Sequence, residues 1–208
     1  VDMFGKLEIW DQPNSTADGE VNVHDSTAGT WAIRTYPDWG QLGASGSGSL
    51  VSAGPLICAN AAPGSGIIRW NTDSGASRHF TMSGNAVIDL AMGWDGMLYS
   101  LHGSDVTGKE VRVLDPLTLM EMDSFTLAPS DTFFSFRDIA VAGEGTLYAA
   151  TGTRVYEFDM ATHEPIAHFD TGGTSTSDYL SDIYISSDDQ VLVGHGDVCP
   201  RSNGQLSE

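Results

Sequence analysis

The amino-acid sequence predicts an all-β protein, a β-propeller of four-stranded blades. Three observations lead there. A pair of strand-like segments recurs along the 208-residue chain. An Asp or Asn closes the second segment of each pair at a near-constant spacing. No segment carries a sustained 3.6-residue apolar period, so almost no helix is expected.

The clearest copy runs Gly145-Thr146-Leu147-Tyr148-Ala149-Ala150, then Val155-Tyr156-Glu157-Phe158-Asp159. Gly96-Met97-Leu98-Tyr99-Ser100-Leu101 with Val111-Arg112-Val113-Leu114-Asp115 repeats it, as does Gly54-Pro55-Leu56-Ile57-Cys58 with Ile67-Ile68-Arg69-Trp70-Asn71. Gly5-Lys6-Leu7 with Val21-Asn22-Val23-His24-Asp25 is a weaker copy, and Val191-Leu192-Val193 a fifth first half. Asp25, Asn71, Asp115 and Asp159 stand 46, 44 and 44 residues apart. A repeat of roughly 40 to 50 residues holding four short strands is the blade of a propeller. One such sheet cannot bury both of its faces alone, and stacking successive sheets buries them against one another.

The strands are named A to D in chain order. The best unit places A at 138–141, B at 146–151, C at 154–158 and D at 165–170. The repeat units span roughly 5–36, 49–82, 87–127, 137–170 and, in part, 181–208, read as one domain over 1–208. The chain opens at a strand B. Ring closure gives four blades, one of them composite from both ends of the chain; otherwise this is part of a larger propeller. The sequence starts at Val1 with no apolar signal segment, as expected of a mature chain or of a piece of a longer one.

Asp138-Ile139-Ala140-Val141, Gly145-Thr146-Leu147-Tyr148 and Val155-Tyr156-Glu157-Phe158-Asp159 resemble the repeats of bacterial secreted propellers of the NHL and YVTN types. The resemblance covers most of 49–195 and implies a fold, since such families hold scaffolds, adhesion modules and a few enzymes. Trp94-Asp95 lies in the predicted turn between strands A and B, not at the end of a strand C. It is not a WD40 signature.

Composition narrows the partners. There are 28 acidic and 9 basic residues, a net charge of −19. Phosphate backbones and anionic lipid surfaces repel such a chain, so neither nucleic acid nor membrane insertion is expected. Cations, protein ligands, glycans and self-assembly remain. The acidity also suits an extracellular or cell-surface setting. The two cysteines, Cys58 and Cys199, are too few for a disulfide scaffold. Cys58 is expected to be a buried thiol.

No HExxH, GxSxG, P-loop or CxxC occurs. Asp89, Asp138 and Asp182 are expected at the start of strand A in three blades, with Ser49 near a fourth such place. Converging carboxylates would take Ca²⁺; alternatively, each accepts backbone N–H groups where the chain enters the strand. Asp11, Asn60, His102, Thr151 and His195 are expected at exposed ends of strand B, on the same face, as candidate ligand-binding residues. Trp39, Tyr179, Tyr36, Phe133 and Phe134 are placed in the D–A loops there, suited to stacking on sugars or to plugging gaps between blades. The leading reading is a non-catalytic binding, adhesion or assembly module. The alternatives are a calcium-supported hydrolase or lyase using His102 and His195, and a structural segment of a surface filament or stalk.

Overall fold

A computed structural model describes residues 6–11, 19–25, 29–36, 49–60, 66–71, 73–81, 86–104, 107–127, 136–151, 154–171, 178–186, 190–197 and 205–207. Their strands form five antiparallel sheets. The first holds β1 (Lys6–Asp11), β2 (Gly19–Asp25) and β3 (Thr30–Tyr36). The second holds β4 (Leu50–Ala53), β5 (Leu56–Asn60), β6 (Ile67–Asn71) and β7 (Ser77–Phe80). The third holds β8 (Ala86–Met92), β9 (Leu98–Ser104), β10 (Thr107–Leu114) and β11 (Glu121–Leu127). The fourth holds β12 (Asp138–Ala142), β13 (Thr146–Ala150), β14 (Arg154–Asp159) and β15 (Pro165–Asp170). The fifth holds β16 (Asp178–Ile185), β17 (Val191–Asp197) and β18 (Gln205–Ser207). Among the described residues the only helical element is one 3-10 turn, Gly143–Gly145.

Each strand pairs with its sequence neighbour, so every sheet is a meander. The first sheet comprises strands B, C and D, and the fifth comprises A, B and a short third strand. The strands from the two ends of the chain therefore belong to separate sheets. By contact the chain divides into two compact units, Val1–Leu90 with Pro116–Leu119, and Ala91–Asp115 with Met120–Glu208.

Burial grades across each sheet. Leu56, Ile57, Cys58 and Ala59 of β5 are all buried, as are residues 98–102 of β9 and all of β12. A strand covered on both faces needs no polar alternation. The outer strands differ: β15 is exposed throughout and β11 over its first four residues. Between neighbouring sheets of the second unit, Ala140, Ala150 and Val155 pack on Ile183 and Val193.

The repeated turns have a physical cause. Gly54, Gly96 and Gly145 lie two residues before Leu56, Leu98 and Leu147, all with φ between +59° and +80°. Four residues after Asp25, Asn71, Asp115 and Asp159 come Gly29, Gly75, Leu119 and His163, with φ of +63°, +69°, +55° and +62°. A left-handed residue there reverses the chain into strand D. The Asx side chain at the head of the turn caps it: Asn71 Oδ1 accepts the N–H groups of Asp73 (3.0 Å) and Ser74 (2.9 Å). Asp159 Oδ1 accepts those of Ala161 and Thr162, both at 2.8 Å. Leu and His carry a left-handed penalty of about 1 kcal/mol that Gly avoids. Contacts offset it: Leu119 is buried, and the His163 ring stacks on Phe125 of β11 with centroids 4.1 Å apart.

The bonds from Thr162 and Ala161 hold the Asp159 carboxyl below its ordinary value of 3.8. A group whose pKa is lower in the folded than in the unfolded state stabilises the fold above 3.8. That contribution is lost as pH falls through the lowered native value. Asn71 shows that the same turn forms without a charge. Asp159→Asn is therefore expected to retain the turn and flatten the acid limb of stability. Urea unfolding from about pH 5 down to about pH 2.5 reads this directly; an unaltered acid limb would contradict it.

Candidate functional site

Asp138 opens β12, as expected, but Asp89 and Asp182 do not open their strands. Asp89 is the fourth residue of β8 and Asp182 the fifth of β16. The cause is longer pairing: Asp178 and Tyr179 of β16 still face Asp197 and Gly196. Asp89 and Asp138 are buried. Asp138 Oδ2 accepts the backbone N–H of Ile183, the residue after Asp182. In the first unit Ser49 Oγ accepts the N–H of Leu90 (3.1 Å) and donates to its carbonyl (3.0 Å), and Leu90 follows Asp89. The polar side chain near strand A thus fastens the backbone of the next strand A. Asp138 accepts a backbone bond, as one reading held, but from the neighbouring sheet rather than its own turn. Among the described residues no three His, Cys, Asp or Glu side chains group to hold a metal ion. The Asp182 side chain lies outside the described residues.

The strand-B residues are less open than expected. Asn60 Nδ2 donates to the carbonyl of Ile88 (3.2 Å), tying β5 to β8, while its Oδ1 is buried with no partner. His102 is fully buried, its Nε2 2.8 Å from Ser100 Oγ. Ser100 donates to the carbonyl of Arg112 (3.3 Å), which assigns the proton of the shared bond to Nε2. Thr151 is buried, and its Oγ1 donates to the Arg154 carbonyl (3.3 Å). An exposed rim does not describe His102 or Thr151: both are covered by the protein.

Asp11 ends β1 and His195 lies in β17, facing Leu180; their side chains lie outside the described residues. Trp39, Phe133 and Phe134 also lie outside them. Tyr179 and Tyr36 sit in strands β16 and β3, not in loops. Phe136, which the sequence reading did not single out, is the described loop aromatic that fills a gap. It is buried edge-on against Tyr156 and Phe158. Only its place two residues before Asp138 marked it.

Cys58 is a buried free thiol. Burial pushes its pKa up to about 12, against a smaller downward pull from Arg69 across the ladder.

No family model matches the chain, and no curated protein does. Solved structures do. Virginiamycin B lyase from Staphylococcus aureus aligns at TM-score 0.60 and 12% identity, over 96% of this chain and 66% of that one. The fold is a β-propeller of four-stranded blades. The propeller domain of Myceliophteria thermophila Cps50 (Swd1) aligns at TM-score 0.60 and 15% identity, over 97% and 73%. The WD40 repeats of RRP9 align at TM-score 0.53 and 18% identity, over 76% and 49%. The chain thus spans about half the length of that propeller. Trp94-Asp95 lies between β8 and β9, in the A–B turn, so the likeness to WD40 domains is one of fold.

Two outcomes follow. Asp138→Ala leaves the buried Ile183 N–H without its acceptor and is expected to cost about 1–3 kcal/mol, with faster amide exchange at Ile183. Asp138→Asn retains an acceptor oxygen and is expected to cost less. Equal losses that appear only with calcium present would instead identify Asp138 as a calcium ligand. In a Cys199→Ser variant, no thiol should react with a disulfide reagent at pH 8 until denaturant is added. Rapid native reaction would contradict the burial of Cys58.

Proposed function

We propose that this chain is a non-catalytic binding module of the bacterial secreted kind, extracellular, that recognises a protein partner through the turns and loops at its sheet ends. One observation carries the reading. The polar groups inside the sheets, Ser100, His102, Asp138 and Thr151, are engaged with the protein itself, whereas the exposed large apolar side chains other than Tyr184 lie on turns and outer strands. Such groups build a scaffold, and what faces solvent varies from blade to blade. The likeness to propellers that include WD40 repeats supports a protein partner, and the −19 charge supports a soluble, extracellular setting. A glycan ligand or self-assembly fits the same surfaces.

The enzymatic reading draws on the likeness to a lyase and needs a proton-transfer group within reach of substrate. His102 is shut inside the third sheet, which leaves His195 to carry that role. The chain should bind a protein or glycan in capture and glycan-array experiments and show no turnover in hydrolase and lyase screens, with or without calcium. Turnover abolished by His195→Ala, with no ligand captured, would replace this proposal with the enzymatic one.

A further inference from the structure

Seven large apolar side chains are exposed among the described residues, and three of them, all in the second unit, sit on one sheet. Trp94, Met120 and Met122 are 55, 64 and 58% exposed. They belong to the two turns and the outer strand of the third sheet. The two turns share one end of it. Gly93 N–H donates to the Met97 carbonyl (2.9 Å), Leu98 faces Leu114, and Asp115 N–H donates to the Met120 carbonyl (3.0 Å). Strand spacing puts Gly93 and Met120 roughly 15 Å apart along that end.

The turn that carries Trp94 is fixed. It is five residues long between β8 and β9, as is the turn between β16 and β17, against two between β4 and β5 and three between β12 and β13. Asp95 Oδ1 accepts the Met97 N–H (3.0 Å) and Oδ2 the Tyr99 hydroxyl (2.7 Å). A Cβ on Gly93 would stand 2.3 Å from Asp95 Oδ1 and 2.6 Å from the Tyr99 ring. A Trp held outward by such a turn loses little freedom on binding, which suits it to anchor a contact. Methionines beside it adapt to the shape of a partner.

The same end is acidic. Tyr99, Val113 and Asp123 form one cross-strand row, so Asp123 shares a face with Tyr99 and Asp95. Burial, with Asp95 and Asp123 adding, raises the Tyr99 phenol above its ordinary value. Arg112 is already engaged by Glu110 (3.0 Å) and Glu121 (3.7 Å). The outer edge is guarded against an added strand. Asp123 Oδ1 takes the Ser124 N–H (2.8 Å), and a bulge leaves Met122 without an opposite residue on β10. Recognition here would run through side chains.

We propose that this end of the third sheet docks a basic segment of a partner protein that also carries apolar side chains, with Trp94 as the anchor and Asp95 and Asp123 selecting positive charge. The proposal rests on the binding-module reading and names its surface.

The probe is a nine-residue peptide alternating lysine and leucine, with a glutamate–leucine peptide as control, titrated into the full chain by calorimetry. The indole N–H signal of Trp94 is followed by NMR. Binding of the basic peptide alone is expected, weakening with added salt, and moving the Trp94 signal. Trp94→Ala and Met122→Ala should each weaken it at least tenfold while leaving the melting temperature unchanged, since both side chains project from the fold. Peptide binding indifferent to both substitutions would overturn the surface and leave the binding-module reading standing. No binding of the basic peptide, or equal binding of the acidic one, would overturn the proposed partner chemistry. Self-association lost in Trp94→Ala, without peptide binding, would assign the surface to a second copy instead.

Discussion

A small antiparallel sheet that is apolar on both faces has nowhere to put one of them, and this constraint shapes the whole chain. Strand B shows it most plainly. Leu56 to Ala59 and Leu98 to His102 are buried without a break, so neither face of those strands meets water. Burying a side chain such as Leu or Ile on both sides of a strand contributes about 1.5–3 kcal/mol per residue. That gain is available only when a neighbouring sheet supplies the second cover, as β16 and β17 do for β12 and β13. The outer strands, with less to bury, carry the exposed residues.

Stacking demands that successive sheets keep the same register, and hydrogen bonds as well as packing enforce it. Asp138 on Ile183 and Ser49 on Leu90 do equivalent work with different side chains. Both reach a backbone group, which any residue at the receiving position provides. Asn60 adds a second tie between β5 and β8, through the carbonyl of Ile88. These bonds replace water at groups that burial would otherwise leave unsatisfied. A polar residue in this core is therefore better read first as a fastener than as a catalyst, and the Ser100–His102 pair follows the same rule.

The repeat was legible in the sequence because its turns obey hard local rules. An Asx residue that caps a turn and a left-handed residue four positions later leave a visible period, and the strands between them follow. The D strand of the best unit, 165–170, matches the structure residue for residue. Strand starts were less legible. Asp89 and Asp182 look like entry residues only if strand A begins beside them, and backbone pairing at Asp178 and Tyr179 depends on β17, not on local residue type. Exposure was the least legible property. His102 reads as an exposed strand end until the sheets on either side are considered, and Trp94, though its turn was legible, gave no sign of its exposure.

The last step concerns where such a molecule can differ from others of its fold. The residues that make the blades stack are constrained from both faces, and the polar ones among them are tied to particular backbone atoms. The A–B turns are not so constrained: two, five, three and five residues serve the second, third, fourth and fifth sheets. In the third sheet's turn, a glycine without space for a Cβ and a carboxylate with two internal bonds fix the shape around an outward Trp. Rigidity is not needed to join two strands, since the two-residue turn at Gly54 and Pro55 does that with less. The fixed shape of the third sheet's turn therefore answers to something outside the sheet. An exposed aromatic held at fixed geometry, amid carboxylates, fits the demands of recognition better than those of folding.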